Sequence, residues 1–184
     1  MKGQPLSKDR LAGSLTKLVG YRGTSCRVDV AEYVRRRVNG DTLPTVRDAE
    51  DSLAQLKRSI VPLMQLLESK DFELLVDLIF STSGWRRTGP VGKAQKTIDF
   101  AIELPSTNER AFVQVKSKTT QVELDSYLKQ FTEMDDYNKM FFAFHTQTGD
   151  IRCDDERVQL LGSNKLAEMI VEAGLTTWII RKVA

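Results

Sequence analysis

The spacing of apolar residues changes from a helical period to a strand period after Gly84, and this change sets the fold class that the sequence predicts. Residues 72–80 carry apolar side chains at i, i+3, i+4, i+7 and i+8, the spacing of an amphipathic helix. The stretches 85–88, 97–104 and 111–117 that follow have the composition and alternation of strands. A helix followed by consecutive strands predicts a mixed α/β protein.

The remainder of the chain continues to alternate between the two kinds of element. The sequence predicts a helix over 122–136, a buried strand over 141–144, a short strand over 158–161, a helix over 164–173 and a last strand over 177–183. The predicted order from residue 68 onward is α-β-β-β-α-β-(β)-α-β. We therefore expect a mixed central sheet flanked by helices.

Residues 1–67 are predicted to be helical and carry a net positive charge. They hold 12 Lys and Arg against 7 Asp and Glu, which favours a polyanionic partner. One helix is expected over 28–38, ending at Asn39-Gly40. A second begins near Thr45, and its apolar residues keep heptad spacing at Val46, Ala49, Leu53, Leu56, Ile60, Leu63 and Leu67. That spacing predicts packing against another helix, either in the same chain or in a partner subunit as a dimer seam.

Composition excludes several classes of protein. The 184 residues contain one histidine, His145, so multi-histidine zinc sites and Ser-His-Asp catalysis are not expected. The two cysteines, Cys26 and Cys153, lack CxxC spacing, and no apolar run reaches the length of a membrane span. With no secretory signal visible, we expect a reduced cytoplasmic protein that does not enter membranes.

Polar side chains that could carry chemistry lie on two consecutive strands. Alternation places Asp99 opposite the most apolar face of its strand, and places Gln114 and Lys116 one pleat repeat apart on the next strand. A symmetric turn would pair Leu104 with Ala111. Asp99 would then face Lys116, which brings a carboxylate, an amide oxygen and an ammonium together.

A third oxygen is expected from the preceding helix. Glu73 borders the apolar stripe of helix 72–80, whereas Asp77 lies farther round and is expected to face solvent. Hard oxygen ligands of this kind suit Mg²⁺ or Mn²⁺ rather than zinc. Such a cation lowers the pKa of bound water and neutralises charge on a phosphate oxygen. A lysine beside it can stabilise the transition state, so the group could hydrolyse a phosphodiester bond. The alternative is a surface salt bridge between Asp99 and Lys116.

Residues from about 70 to 184 resemble the PD-(D/E)xK nuclease superfamily, most closely its Mrr-like restriction endonuclease branch. The matching segments are FELLV at 72–76, GW at 84–85, IDF at 98–100, VQVK at 113–116, LLG at 160–162 and LAE at 166–168. The resemblance implies a restriction-endonuclease-like α-β-β-β-α-β core over 68–184. The helical region 1–67 would precede it and contact DNA or form a dimer.

The resemblance also implies roles for individual residues. Asp99 would be the principal metal ligand, Lys116 the catalytic lysine, and Glu73 the helix carboxylate that completes the site. Gln114 takes the place of the acidic residue in (D/E)xK, and the carbonyl of Val115 would also coordinate. The implied cofactor is Mg²⁺, with Mn²⁺ as a substitute. Gln114 supplies a neutral oxygen where Glu would supply charge, which should weaken metal affinity.

Basic residues around these positions are candidates for contact with a phosphate backbone. A run between Asp77 and Asp99 contains no acidic residue, although a solvated basic loop would look the same. The three consecutive arginines at the end of the first predicted helix are favoured there by the helix dipole in any case. The candidate DNA-binding residues are Arg86, Arg87, Lys93, Lys96, Lys118, Arg35, Arg36 and Arg37.

The function implied by the resemblance is Mg²⁺-dependent hydrolysis of DNA phosphodiester bonds in restriction or defence. The heptad spacing adds the expectation of a homodimer formed through the N-terminal helices. A Holliday-junction resolvase or a repair nuclease of the same fold is the alternative within this class. A DNA-binding or assembly subunit with a degenerate site, which binds without cutting, is the alternative from another class.

Overall fold

The structure, a computed structural model, describes residues 11–16, 20, 23, 30–89 and 98–184. The chain divides into two compact units, Met1–Leu53 and Ala54–Ala184. The division falls inside the third helix, before the boundary at 67/68 expected from the sequence. The reason is that the second half of this helix buries Ile60 and Met64 in the core of the second unit.

The described part of the first unit is helical. It contains α1 (Gly13–Thr16), α2 (Ala31–Asn39) and the first part of α3 (Pro44–Gln65). α2 ends at Gly40, whose φ of 77° is left-handed, as the Asn39-Gly40 signal predicts. Residues 28 and 29 of the helix expected over 28–38 lie outside the described residues.

The heptad series of α3 is buried only in its second half. Val46 is 42% exposed and Leu53 is 44% exposed, whereas Ile60 is 1% exposed and Leu67 is 7% exposed. Packing within the chain therefore accounts for the second half of the series. A partner subunit over the first half stays a prediction.

The second unit is an α/β structure, as the sequence predicts, with a mixed five-stranded sheet flanked by helices. The strands lie in the order β1-β2-β3-β4-β5; β1, β2 and β3 are antiparallel neighbours, while β3, β4 and β5 are parallel neighbours. Within the described ranges, no helix has the length and apolar character that crossing a bilayer requires. The elements are α4 (Ser69–Thr82), β1 (Arg86–Thr88), β2 (Phe100–Leu104), β3 (Glu109–Thr120), α5 (Gln121–Thr132), β4 (Lys139–Thr148), β5 (Val158–Leu161), α6 (Ser163–Glu172) and α7 (Thr176–Val183).

Helices cover both faces of the sheet. On one face, the second half of α3 packs with α4, α6 and α7 around Val113 and Phe141. On the other face, α5 packs around Phe112 and Phe142. β4 is consequently buried on both sides from Met140 to Phe144, the continuous apolar run expected of a central parallel strand.

The prediction of a last strand over 177–183 is wrong, because the chain forms α7 there. Leu175, Trp178 and Ile179 have i, i+3, i+4 spacing and pack together against the α4 face of the core, where Ile179 is fully buried. The weak alternation of 177–183 predicted a strand, but burial of this helical stripe decides the conformation. A 2.9 Å ion pair between Lys182 and Asp71 joins α7 to α4.

Candidate functional site

A carboxylate is held at the start of β2 by two hydrogen bonds from β3. Oδ2 of Asp99 accepts a 2.6 Å hydrogen bond from the backbone N–H of Val115 and a 2.7 Å hydrogen bond from Nε2 of Gln114. Among the described residues, both bonds to this carboxylate end on the same oxygen, so the other oxygen is the one that a cation would reach.

The register of the β2–β3 hairpin differs from the predicted one by two residues. Leu104 pairs with Glu109 rather than with Ala111. The turn is shorter than expected because Asn108 adopts a left-handed φ of 56°, which lets pairing resume at the next residue. A shift of two keeps every side chain on its predicted face. Asp99 therefore bonds to Gln114 instead of lying directly across from Lys116.

Glu73 of α4 and Asp99 line one cavity of about 280 Å³. Burial, and then the negative charge of Asp99, raises the pKa of Glu73 above its usual value. Burial also raises the pKa of Asp99, against the opposing effects of the Val115 N–H and the charge of Lys116. Two half-buried carboxylates with raised pKa values form a place where a bound cation would stabilise the charged state.

The ammonium of Lys116 lies near a tyrosine of α5, and its charge lowers the pKa of both Glu73 and Asp99 against the effect of burial. Its Nζ is 5.2 Å from the ring centroid of Tyr127, a cation–π distance. A hydrogen bond to Tyr127 raises the pKa of Lys116 above its usual value, and the charges of Asp99 and Glu123 act in the same direction while burial opposes them. Lys116 is therefore protonated at neutral pH and is suited to stabilising negative charge rather than to accepting a proton.

Gln114 and the backbone of Val115 complete a set of oxygen donors. Gln114 is 2% exposed, and its Oε1 is buried with no hydrogen-bond partner among the described residues. An unpaired buried polar atom costs about 1–3 kcal/mol, and a cation would supply the missing partner. The N–H and C=O of a strand residue point to the same edge. The carbonyl of Val115 therefore points to the same edge of β3 as its N–H, which is the edge on which Asp99 lies.

This donor set fits Mg²⁺ or Mn²⁺, which prefer oxygen ligands. In the part of the chain that the structure describes, no group of three or more His, Cys, Asp or Glu could hold a metal ion. A metal at this site would thus depend on two carboxylates and two neutral oxygens, which carry less charge than a cluster of three carboxylates.

The structure brings some of the predicted basic residues to this site and not others. Arg87 is close enough to Glu73 to lower its pKa, against the effect of burial, and Lys118 lines the cavity. Arg86 is exposed on β1. Arg35, Arg36 and Arg37 belong to the first unit, and Lys93 and Lys96 lie outside the described residues.

Arg87 also has a structural role that the sequence did not predict. Its guanidinium forms a 3.0 Å ion pair with Asp77 and lies 5.0 Å from the ring centroid of Phe100. The prediction that Asp77 faces solvent is therefore wrong: its side chain is 20% exposed and paired. In α2, Arg35 forms an ion pair with Glu32 of the same helix, so one of the three consecutive arginines has a partner within its own helix.

Tyr127, Ser69 and Ser117 are site residues that the sequence reasoning missed. Ser69 and Ser117 line the cavity beside Glu73. A sequence signal for Tyr127 existed, because it lies three residues after Leu124 on the stripe of α5 that packs on the sheet. The serines carried no such signal, since only the packing of α4 on β3 brings them together.

Comparisons of the chain with protein-family models, with curated proteins and with solved structures gave no match.

Proposed function

We propose that the second unit is a divalent-metal-dependent endodeoxyribonuclease of the restriction or defence type, with a restriction-endonuclease-like core. The observation that carries the proposal is the hydrogen-bonded arrangement of Asp99 with Gln114 and Val115, beside the protonated Lys116. The position of Glu73 in the same cavity supports it.

The side chains divide into a cation-holding group and a phosphate-holding group. Asp99, Glu73, Gln114 and the carbonyl of Val115 would hold Mg²⁺, with Mn²⁺ as a substitute. A bound cation lowers the pKa of water and neutralises charge on a phosphate oxygen. Lys116 donates hydrogen bonds to the phosphate oxygens on which negative charge grows in the transition state, and its raised pKa keeps it protonated while it does so.

DNA is the proposed partner, and a homodimer is the proposed assembly. Arg86 and Lys118 are exposed and could contact the phosphate backbone. The exposed Val46 and Leu53 of α3 continue the heptad series, and the dimer is proposed to form through them.

Purified protein is expected to cut plasmid DNA with Mg²⁺ or Mn²⁺ and not with EDTA. Changing Lys116 to Ala should reduce the rate by about 10²-fold or more, the usual effect of removing a group that stabilises transition-state charge. Lys129→Ala, on the exposed side of α5, is the matched control and should cut at the wild-type rate. Cleavage that is equal in the two variants would reject the role of Lys116. A preference for four-way junctions over linear duplex would indicate a resolvase.

A non-cleaving DNA-binding subunit is the second candidate, and Gln114 favours it. Its carboxamide carries no charge, and its Nε2 donates to the carboxylate that should bind the metal. This candidate predicts salt-sensitive DNA binding with no cutting at any metal concentration. A metal titration of cleavage separates the two.

Tyr127→Phe is expected to keep the ring beneath Lys116 but remove the hydrogen bond that raises its pKa. The pKa of Lys116 should therefore fall, and the alkaline limit of the pH–rate profile of cleavage should move to lower pH. The rate at neutral pH should fall by less than about tenfold, because the lysine stays protonated there with or without this hydrogen bond. Tyr137→Phe, on the same sheet face, is the control. An unchanged alkaline limit would contradict the link between Tyr127 and Lys116.

A further inference from the structure

The cavity that contains Glu73 and Asp99 continues to two hydroxyl groups and a second lysine. Ser69 of α4 and Ser117 and Lys118 of β3 line this part of it. The two serine Oγ atoms lie 3.4 Å apart, which is long for a hydrogen bond between hydroxyl groups. The N-cap of α4 is Glu68, so the hydroxyl of Ser69 is not the helix cap. Among the described residues, Lys118 forms no ion pair.

Main-chain geometry adds a donor at the same place. The N–H of Val115 points to the β2 edge of β3, where it binds Asp99. Hydrogen-bonding groups alternate along a strand, so the N–H of Ser117 points to that edge as well. Two serines and a second lysine thus line the cavity that contains Asp99, and the N–H of Ser117 lies on the same edge of β3. Groups of this kind bind phosphate oxygens.

The spacing of the two lysines fits neighbouring phosphates of one strand. Lys116 and Lys118 are one pleat repeat apart, about 6.6 Å along β3. Successive phosphates of one strand advance about 3.4 Å along the duplex axis and also wind around it, so their separation in space exceeds this advance. The lysine side chain is long and flexible. When the phosphate that is cleaved contacts Lys116, the next phosphate of the strand lies within reach of Lys118.

We propose that Ser69, Ser117 and Lys118 form a second phosphate subsite, which holds the phosphodiester next to the one that is cut. The inference rests on the proposed function and deepens it, because it assigns positioning residues that fix the register of the strand at Asp99. Backbone contacts of this kind position nucleic acid without reading its sequence.

The test uses a duplex oligonucleotide whose cleavage position has been mapped with the wild-type protein. A single neutral methylphosphonate replaces the neighbouring phosphate on either side, one side at a time. At one of these two positions, the methylphosphonate should slow cleavage by wild-type protein at least tenfold. A triple variant combines Ser69→Ala, Ser117→Ala and Lys118→Met. It should cut natural DNA at least tenfold more slowly than wild-type protein does. In this variant, the same methylphosphonate should change the rate of cleavage less than twofold. Tenfold sensitivity retained by the triple variant, or wild-type protein insensitive on both sides, overturns the subsite.

A binding measurement separates failure of the subsite from failure of the proposed function. In the Asp99→Asn background, adding Lys118→Met should make the negative slope of log binding constant against log salt concentration shallower by about 0.9, the contribution of one phosphate contact. Adding Lys129→Met should leave the slope unchanged. If wild-type protein fails to cut DNA with every metal ion tested, the nuclease proposal fails. The comparison of salt slopes then decides the subsite alone, and equal slopes overturn it. Thermal unfolding of each variant confirms that the fold is intact.

Discussion

Replacing Asp99 with Asn should reduce metal-dependent cleavage by about 10³-fold, at the upper end of the cost of losing one preorganised electrostatic group. Asparagine has nearly the same shape as aspartate, and its oxygen can accept the two hydrogen bonds from Val115 and Gln114 that Oδ2 accepts now. What it removes is the charge. The loss of activity would therefore report the charge of Asp99 and not a collapse of the hairpin.

The same substitution is expected to leave the unfolding temperature at pH 7 unchanged or to raise it. Because burial raises the pKa of Asp99, the folded chain holds this proton more tightly than the unfolded chain. The contribution of this carboxyl to stability is therefore most favourable below its usual pKa, and it is lost as the pH rises through the raised value. Above that range the charged form is the costly one, and asparagine removes it.

Thermal unfolding of Asp99→Asn and wild-type protein between pH 4 and pH 7 checks this sign. The stability of the variant relative to wild type should increase as the pH rises. Mg²⁺ should raise the unfolding temperature of wild type only. Asp99→Ala is the control, since it loses both hydrogen bonds and should unfold at a lower temperature. A large loss of stability in Asp99→Asn at pH 7 would favour the alternative in which Asp99 and Lys116 form a structural salt bridge.

The parts of the fold that depend on local periodicity were predictable, and those that depend on tertiary packing were not. α4 follows from its apolar spacing alone, and its observed range, Ser69–Thr82, contains the predicted 72–80. α7 has too short a stripe to outweigh the weak alternation of 177–183, so only the burial of Ile179 reveals the helix.

The site shows the same division. Alternation along two strands predicted that Asp99 and Gln114 share a face, and that prediction survives the change of register because the shift is an even number of residues. The partner of Asp99 could not be predicted, because the turn length depends on the left-handed conformation of Asn108. The contact of Tyr127 with Lys116 joins α5 to β3, and no local pattern encodes that distance.

Changing Gln114 to Glu is expected to lower the Mg²⁺ concentration needed for half-maximal cleavage by about tenfold, equivalent to about 1.4 kcal/mol of binding energy. A third carboxylate increases the charge that faces the cation, and charge count tunes the affinity of oxygen-ligand sites. Without metal the variant should be less stable, because Gln114 is 2% exposed and the new carboxylate would lie beside Asp99. The unfolding temperature should consequently rise more with Mg²⁺ than that of wild-type protein.

Gln114→Met is the matched control, since it has a similar length and supplies no oxygen. It removes the buried Oε1 that has no partner among the described residues, but it also removes the hydrogen bond from Nε2 to Asp99, so the two effects on the stability of the metal-free protein oppose each other. Its requirement for Mg²⁺ should increase. The charge argument fails if the Glu variant needs as much Mg²⁺ as wild type, or if the Met variant needs no more. Either result would mean that residue 114 does not contact the cation, and that its hydrogen bond to Asp99 is its only role.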